Sequence, residues 1–331
     1  MIIFLIDILD RRDMKKLWKY IKILITVAVV GYFVYYFFSN KDDFLLVLST
    51  PLTYILLIGL FYSLIFLLNG IFIKAILKSF KKTISVFESF YVSVMSSLGN
   101  YFLPMRGGAV LRSVYLKKKF NFAYSHFIST LYGYYIIVFL VNSFLALLAL
   151  VFINIRYEIV SIPLYFFFGG LFVFMLILSL IKFPVDRIKE SGKGFIKRLF
   201  RAIKNILSGW NRIVGNKQLF LSLIVITILT FVVHILLFWI EFLALRIESS
   251  FISIVLYNCL SGVSLLVSLT PGSLGIREGI FVITSDILGI TKEQVMQLAL
   301  LDRGVMVLIL IGVFVILYIL ERFFKKNEKI F

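Results

Sequence analysis

One cysteine, two histidines and five prolines are all that the 331 residues hold of those types. The lone Cys259 excludes an intramolecular disulfide and any multi-cysteine metal site. His126 and His234 stand far apart and suggest no metal cluster. No Gly-x-x-x-x-Gly-Lys-Ser/Thr run is present, so the chain is not expected to hydrolyse ATP. No Gly-x-Ser-x-Gly elbow or paired-aspartate motif points to a hydrolase or a prenyl-diphosphate enzyme. Neither a metal nor a cofactor is expected. A long polar stretch is also missing. The longest, 182–218, has room for no separate globular domain. Residues 1–331 therefore read as a single integral membrane domain.

What fills the chain is apolar. Hydrophobic residues make up 61% and aromatic residues 17%, and mean hydropathy is +1.02. Soluble domains are roughly half apolar. Several runs here approach or exceed the ~20 residues that cross a bilayer as a helix. The ~10-residue alternating segments of a membrane β-barrel do not occur. The fold class is an all-α polytopic membrane protein. The first apolar run lacks a small-residue cleavage site and reads as a retained anchor.

Acidic residues are scarce, 17 against 35 lysines and arginines, for a net charge of +18. No nucleic-acid recognition module accompanies that charge, so nucleic acid is not expected as a partner. Of the 35 basic residues, 29 fall in segments that one topology places on the same side. This is the cytoplasmic positive bias of membrane proteins, and it favours contact with anionic lipid headgroups. Both termini are then cytoplasmic, in the inner membrane of a prokaryote.

The layout has about six full transmembrane helices plus two broken re-entrant segments. An interfacial helix over 1–22 leads into a span at 21–38. Further spans cover 52–73, 123–155, 163–183, 219–245 and 292–320. Thr291 and Gln294 suit a capping box at the last. The basic linker 182–218 carries apolar residues at helical spacing and reads as an amphipathic helix on the inner leaflet, or else as a solvated linker. Residues 84–104 have basic flanks on both sides. Passing straight through would put five positive charges outside, so this segment enters and returns. The segment starting at 251 also enters and returns, with a short helix at 280–288. Segments 52–155 and 219–321 then form two candidate inverted-topology repeats.

The chain is organised around the two interruptions. One, 269–279, reads LTPGSLGIREG; the other, 99–112, reads GNYFLPMRGGAVLR. Pro104, Gly107, Gly108, Pro271, Gly272 and Gly275 break the backbone. Such breaks survive at membrane depth only inside protein or beside a wet cavity, and charges there usually serve function. Arg277 is a candidate phosphate ligand, and Glu278 a candidate for charge balance or proton transfer. A structural ion-pair network with Asp302 or Arg303 accounts for the same residues. Arg106 and Arg112 suit bidentate phosphate recognition, or they mark the inner face. Glu241 and His234, seven residues apart, allow a proton path or a plain interhelical hydrogen bond. Glu88 sits near the inner interface.

Asn100, Pro104, Gly107, Gly108 and Arg112 resemble the first signature of a known family, and Pro271, Gly272, Gly275, Arg277, Glu278 and Gly279 its second. Asp302 and Arg303 fit the charged start of its last helix. The family is the lysylphosphatidylglycerol synthase transmembrane region, also called the flippase-like integral membrane family. The resemblance implies lipid translocation, as in the flipping half of multiple-peptide-resistance proteins, or a link to polyprenyl or glycolipid pathways. It also allows a homodimer. Without the soluble aminoacyl-transferase domain, no synthesis of lysyl-lipid is expected. Two departures stand out: Ala109 replaces a usual glutamate, and Leu131–Tyr135, LYGYY, replaces usual charges.

The leading expectation is a non-enzymatic translocator of a phospholipid or a polyprenyl- or sugar-linked lipid, with Arg277, Glu278, Arg106, Arg112, Asp302 and Arg303 around the headgroup. The alternatives are a non-transporting partner of an envelope-biosynthesis enzyme and a membrane-embedded lipid-modifying transferase.

Overall fold

The computed structural model describes residues 47, 49–103, 106–185, 195–267 and 270–327, with backbone alone for 195–199, 318 and 321–327. The span expected at 21–38, the interfacial helix at 1–22, Pro104 and residues 186–194 of the basic linker lie outside the described residues.

Among the described residues there are eleven α-helices and no strand. They are α1 Leu52–Ser79, α2 Val86–Phe102, α3 Gly107–Phe120, α4 Tyr124–Tyr157, α5 Ile162–Leu180, α6 Phe195–Gly215, α7 Lys217–Ala244, α8 Phe251–Val263, α9 Ile276–Ile283, α10 Ser285–Leu288 and α11 Lys292–Asn327. Five of them, α1, α4, α5, α7 and α11, are long and apolar enough to cross a membrane. The protein is a polytopic all-α membrane protein. α1 continues past the expected end at 73 to Ser79. Lys74 and Lys78 are good helix formers whose ends can reach polar surroundings while the stems stay apolar. α4 has 34 residues, about 51 Å at 1.5 Å each, so it exceeds the ~30 Å hydrocarbon core.

α1 and α7 form the central pair and run antiparallel. Leu223, early in α7, clusters with Phe72, Ile76 and Phe80, late in α1. Phe238 and Phe242, late in α7, cluster with Ile58 and Tyr62, early in α1. α5 is peripheral. It rests on α4 through Phe168, Met175 and Ser179 and leaves most of its other side chains exposed. α6 is the amphipathic helix of the basic linker. Trp210 and Ile213 are buried, and Trp210 Nε1 donates to the Ile181 carbonyl at 3.2 Å. Asn211 holds both backbone groups of Phe183, at 2.9 and 2.7 Å.

Each interruption is the tip of an antiparallel helical hairpin. α2 and α3, at 17 and 14 residues, are about 25 and 21 Å long, so neither crosses the core. Glu88, at the start of α2, meets Lys119 at 2.5 Å and accepts from Tyr115 at 2.8 Å, both near the end of α3. Near the tip the helices touch through glycine. A Cβ on Gly108 would lie 1.7 Å from the Ser96 carbonyl, and one on Gly99 would lie 2.6 Å from Gly108 Cα.

The second hairpin pairs α8 with α9 and α10. Tyr257 stacks on Phe281 at 3.9 Å, and Ser249 donates to the Leu288 carbonyl at its base. The returning helix starts at Ile276, earlier than the expected 280. Glu278 caps it from within, so the charged residues belong to the helix and not to the loop.

The hairpin bases sit at opposite ends of the α1–α7 pair. The first is beside Phe80 and Phe122, whose rings are 5.3 Å apart. The second follows the end of α7, where Phe242 meets Tyr257 at 5.4 Å. The tips meet between them: Tyr101 lies against Gly272. Thr291 and Gln294 form the expected capping box on α11, with bonds of 2.9 and 3.2 Å.

Candidate functional site

The second tip is fixed by backbone conformation and by charge. Gly272 and Gly275 have φ of +56° and +78°, where a side chain is strained. Gly275 is the N-cap of α9, and the Glu278 carboxylate turns back to accept from the Gly275 N–H at 2.8 Å. This is the acidic half of a capping box, and it places a negative charge at a helix start. The other Glu278 oxygen accepts from Arg303 Nε at 2.8 Å and Nη2 at 2.5 Å. Arg303 Nη1 reaches the Gly272 carbonyl at 3.2 Å. One guanidinium thus ties α11 to both sides of the tip.

Arg277, next in sequence to Glu278, keeps its Nε 3.8 Å from a Glu278 oxygen, but its hydrogen bond goes to a different carboxylate. It donates through Nη2 to Asp302 Oδ2, and Asp302 Oδ1 accepts from the Tyr62 hydroxyl. Two neighbouring residues on α9 are matched with two neighbours on α11, each pair 25 residues apart in sequence. Glu278, Asp302 and Arg303 are buried. Burying such charges is tolerable only with this degree of pairing.

The first tip carries charge of one sign. Arg106 is the N-cap of α3, with φ of +56°, and its guanidinium lies 4.2 Å over the Tyr135 ring. Arg112 lies 5.2 Å over Phe127, and its Nε has no hydrogen-bond partner. Among the described residues no carboxylate comes within ion-pair distance of either arginine. Aromatic faces attract such cations but do not use up their N–H donors.

A cavity of about 330 Å³ opens beside the meeting tips and is lined by both. From the first hairpin Asn100, Tyr101 and Arg106 line it; from the second, Thr270, Gly272, Ser273 and Arg277. Asp302 and Arg303 form part of the wall, with Tyr62 and Asn69 from the middle of α1, His234 from α7 and Asn258 from α8. A recess of about 110 Å³ shares Asn69, Ser97, Asn100, Tyr134 and Tyr135 with it and holds Arg112. The space has polar groups set among apolar walls and lies midway along α1 and α7.

A family model described as Lysylphosphatidylglycerol synthase TM region matches residues 20–313. The chain belongs to this family. The family suggests a membrane protein related to lipid metabolism or flippase-like function. No curated protein and no solved structure matches it.

All six charged residues singled out in the sequence border the cavity, its recess or the ion-pair network of its wall. Arg277, Glu278, Asp302 and Arg303 are paired with one another, whereas Arg106 and Arg112 have no carboxylate within ion-pair distance among the described residues. Pro271 opens a short 3-10 turn at the second tip. Gly107 and Gly108 begin α3, and Gly108 serves close contact with α2. Glu88 lies away from the cavity, at the base of the first hairpin. The LYGYY stretch places Tyr134 and Tyr135 beside Arg106 and Arg112. That stretch brings those arginines aromatic faces and no carboxylate.

Tyr62, Asn69 and Asn258 were not anticipated. Tyr62 and Asn69 are seven residues apart in an otherwise apolar helix, so they share a face. A polar pair on one face of a spanning helix is the signal that marks them.

Proposed function

We propose that this protein translocates a lipid with an anionic, phosphate-bearing headgroup between the leaflets of the cytoplasmic membrane. The lipid is a phospholipid or a polyprenyl- or sugar-linked lipid. The headgroup enters the cavity between the hairpin tips while its chains remain in the bilayer. The observation that carries this reading is the pair of guanidiniums, Arg106 and Arg112, with no carboxylate partner among the described residues, at a cavity where Arg277, Asp302 and Arg303 each have an ion-pair partner. Arginine offers a planar fork that matches phosphate, and a phosphate completes the pairing that this chain leaves open.

On this reading Arg277, Asp302, Glu278 and Arg303 set the shape of the second tip and line the path, and Arg106 and Arg112 take the phosphate. The lysine-rich end, with Lys74, Lys78, Lys81, Lys82 and Lys117 to Lys119, faces the cytoplasm. The hairpins enter from opposite ends of the α1–α7 pair, which supports an inverted repeat over 52–155 and 219–321. Inverted repeats commonly hold substrate near the midplane at broken helices. Tip exchange between two arrangements, each open to one leaflet, would move the headgroup.

The test is a leaflet-accessibility assay in proteoliposomes with fluorescent phosphatidylglycerol and, separately, a fluorescent polyprenyl phosphate. Translocation above protein-free vesicles is expected for one of them. Each lost charge-assisted phosphate contact is worth about 1.5–3 kcal/mol, so Arg106→Gln or Arg112→Gln should slow translocation ~10- to 150-fold at low lipid. Full activity in the double variant would refute the site. A new lipid species would indicate an enzyme, and no movement of either probe a scaffold.

A further inference from the structure

Glu241 on α7 is fully buried, at 0% exposure, and neither of its carboxyl oxygens has a hydrogen-bond donor. It lies within hydrogen-bonding reach of Asp302. None of the donors nearby bonds it: Tyr62 and Arg277 Nη2 give theirs to Asp302, Arg303 gives its to Glu278 and Gly272, and the buried Arg277 Nε has no hydrogen-bond partner. The cluster therefore contains two guanidiniums, Arg277 and Arg303, and three carboxyls, Glu278, Asp302 and Glu241.

Ionising all three carboxyls leaves one surplus negative charge in the protein interior. That charge would sit on the one carboxylate without a donor, beside another carboxylate. This is the least favourable state a buried acid can occupy. A single proton removes both problems. It cancels the surplus charge, and the new O–H can donate to an Asp302 oxygen.

The groups facing Glu241 come from every side. They are Tyr62 on α1, Tyr257 on α8, Arg277 on α9 and Asp302 on α11. The helices α4 and α6, also packed on α7, bring it no charged group among the described residues. His234, seven residues earlier on α7, lines the cavity and bonds the Thr230 carbonyl at 2.8 Å.

We propose that Glu241 is a proton-binding site, and that the Glu241–Asp302 pair links headgroup passage to proton movement. An anionic headgroup competes with Asp302 for Arg277. When Arg277 turns toward the headgroup, the carboxyl pair loses its cation and takes up a second proton from cavity water. Anion entry and proton uptake then occur together. The linkage rests on the translocation reading; the bound proton does not.

Infrared spectroscopy of the full chain in nanodiscs tests the proton directly. At neutral pH a buried carboxylic-acid C=O band is expected that moves when glutamate carries a ¹³C carboxyl, and that is missing in Glu241→Gln. Glutamine imitates the protonated acid, so this variant should keep the thermal stability of the parent. Should it fail to fold, the labelled parent decides alone. Absence of a glutamate-derived acid band, or an unchanged band in a folded Glu241→Gln, overturns the proposal.

The linkage is read with fluorescent phosphatidylglycerol in proteoliposomes carrying a pH gradient. The gradient should change the parent rate several-fold and leave Glu241→Gln unaffected. Translocation indifferent to the gradient in both proteins overturns the linkage. No translocation at all overturns the linkage together with the transport reading, while the infrared band still decides the proton site.

Discussion

Replacing Arg303 by methionine isolates what holds the second hairpin tip. Methionine keeps the length of the stem and removes the donors. Arg303 gives Glu278 two bonds, at 2.8 and 2.5 Å, and gives the Gly272 carbonyl one at 3.2 Å. Breaking a buried ion pair costs about 3–5 kcal/mol, largely because the other charge is stranded. The lost bond to a neutral carbonyl adds about 1 kcal/mol. Arg303→Met should therefore destabilise the protein by about 4–6 kcal/mol on these magnitudes, a large part of a typical total of about 5–15 kcal/mol. Adding Glu278→Gln removes the stranded charge and should restore most of the ion-pair loss. The double-mutant cycle should show a coupling of at least ~2 kcal/mol. Denaturant unfolding in mixed micelles, followed by tryptophan fluorescence, measures all four proteins. A single-variant loss below ~1 kcal/mol, or a double variant as unstable as the sum of the singles, would refute the reasoning.

Two further predictions concern the first hairpin. Gly108→Ala puts a carbon 1.7 Å from the Ser96 carbonyl, so α2 and α3 must separate; stability should drop by at least ~1–3 kcal/mol, read in the same unfolding assay. Tyr135→Leu removes the ring under Arg106 and should weaken binding of an anionic lipid by about 0.5–1 kcal/mol, with little change in unfolding, read by titration in nanodiscs.

The fold class and the two interruptions were legible because they rest on local signals. Apolar run length gave the spans, and proline with glycine beside charge marked the tips. The Thr291–Gln294 box was legible for the same reason. An ion-pair network with Asp302 or Arg303 was legible too, but which residue pairs with which was not. Arg277 with Asp302 and Glu278 with Arg303 depend on the register between α9 and α11. Tyr62 meets Asp302 across 240 residues. Gly108 reads in the sequence as a backbone break, yet it lies within α3 and its value lies in having no Cβ where α2 and α3 touch, which only the crossing reveals. The absence of charge in LYGYY was visible in the sequence. That two guanidiniums beside it have no carboxylate within reach among the described residues needed the structure.

The central claim is that Arg106 and Arg112 hold the phosphate of a lipid headgroup between the hairpin tips. Mass spectrometry of the lipid that co-purifies with the protein tests it most directly. The parent should carry a phosphate-bearing anionic lipid, and Arg106→Gln/Arg112→Gln, equally folded, should lose it. Equal retention of that lipid by both proteins, or enrichment of neutral lipid alone, would contradict the account.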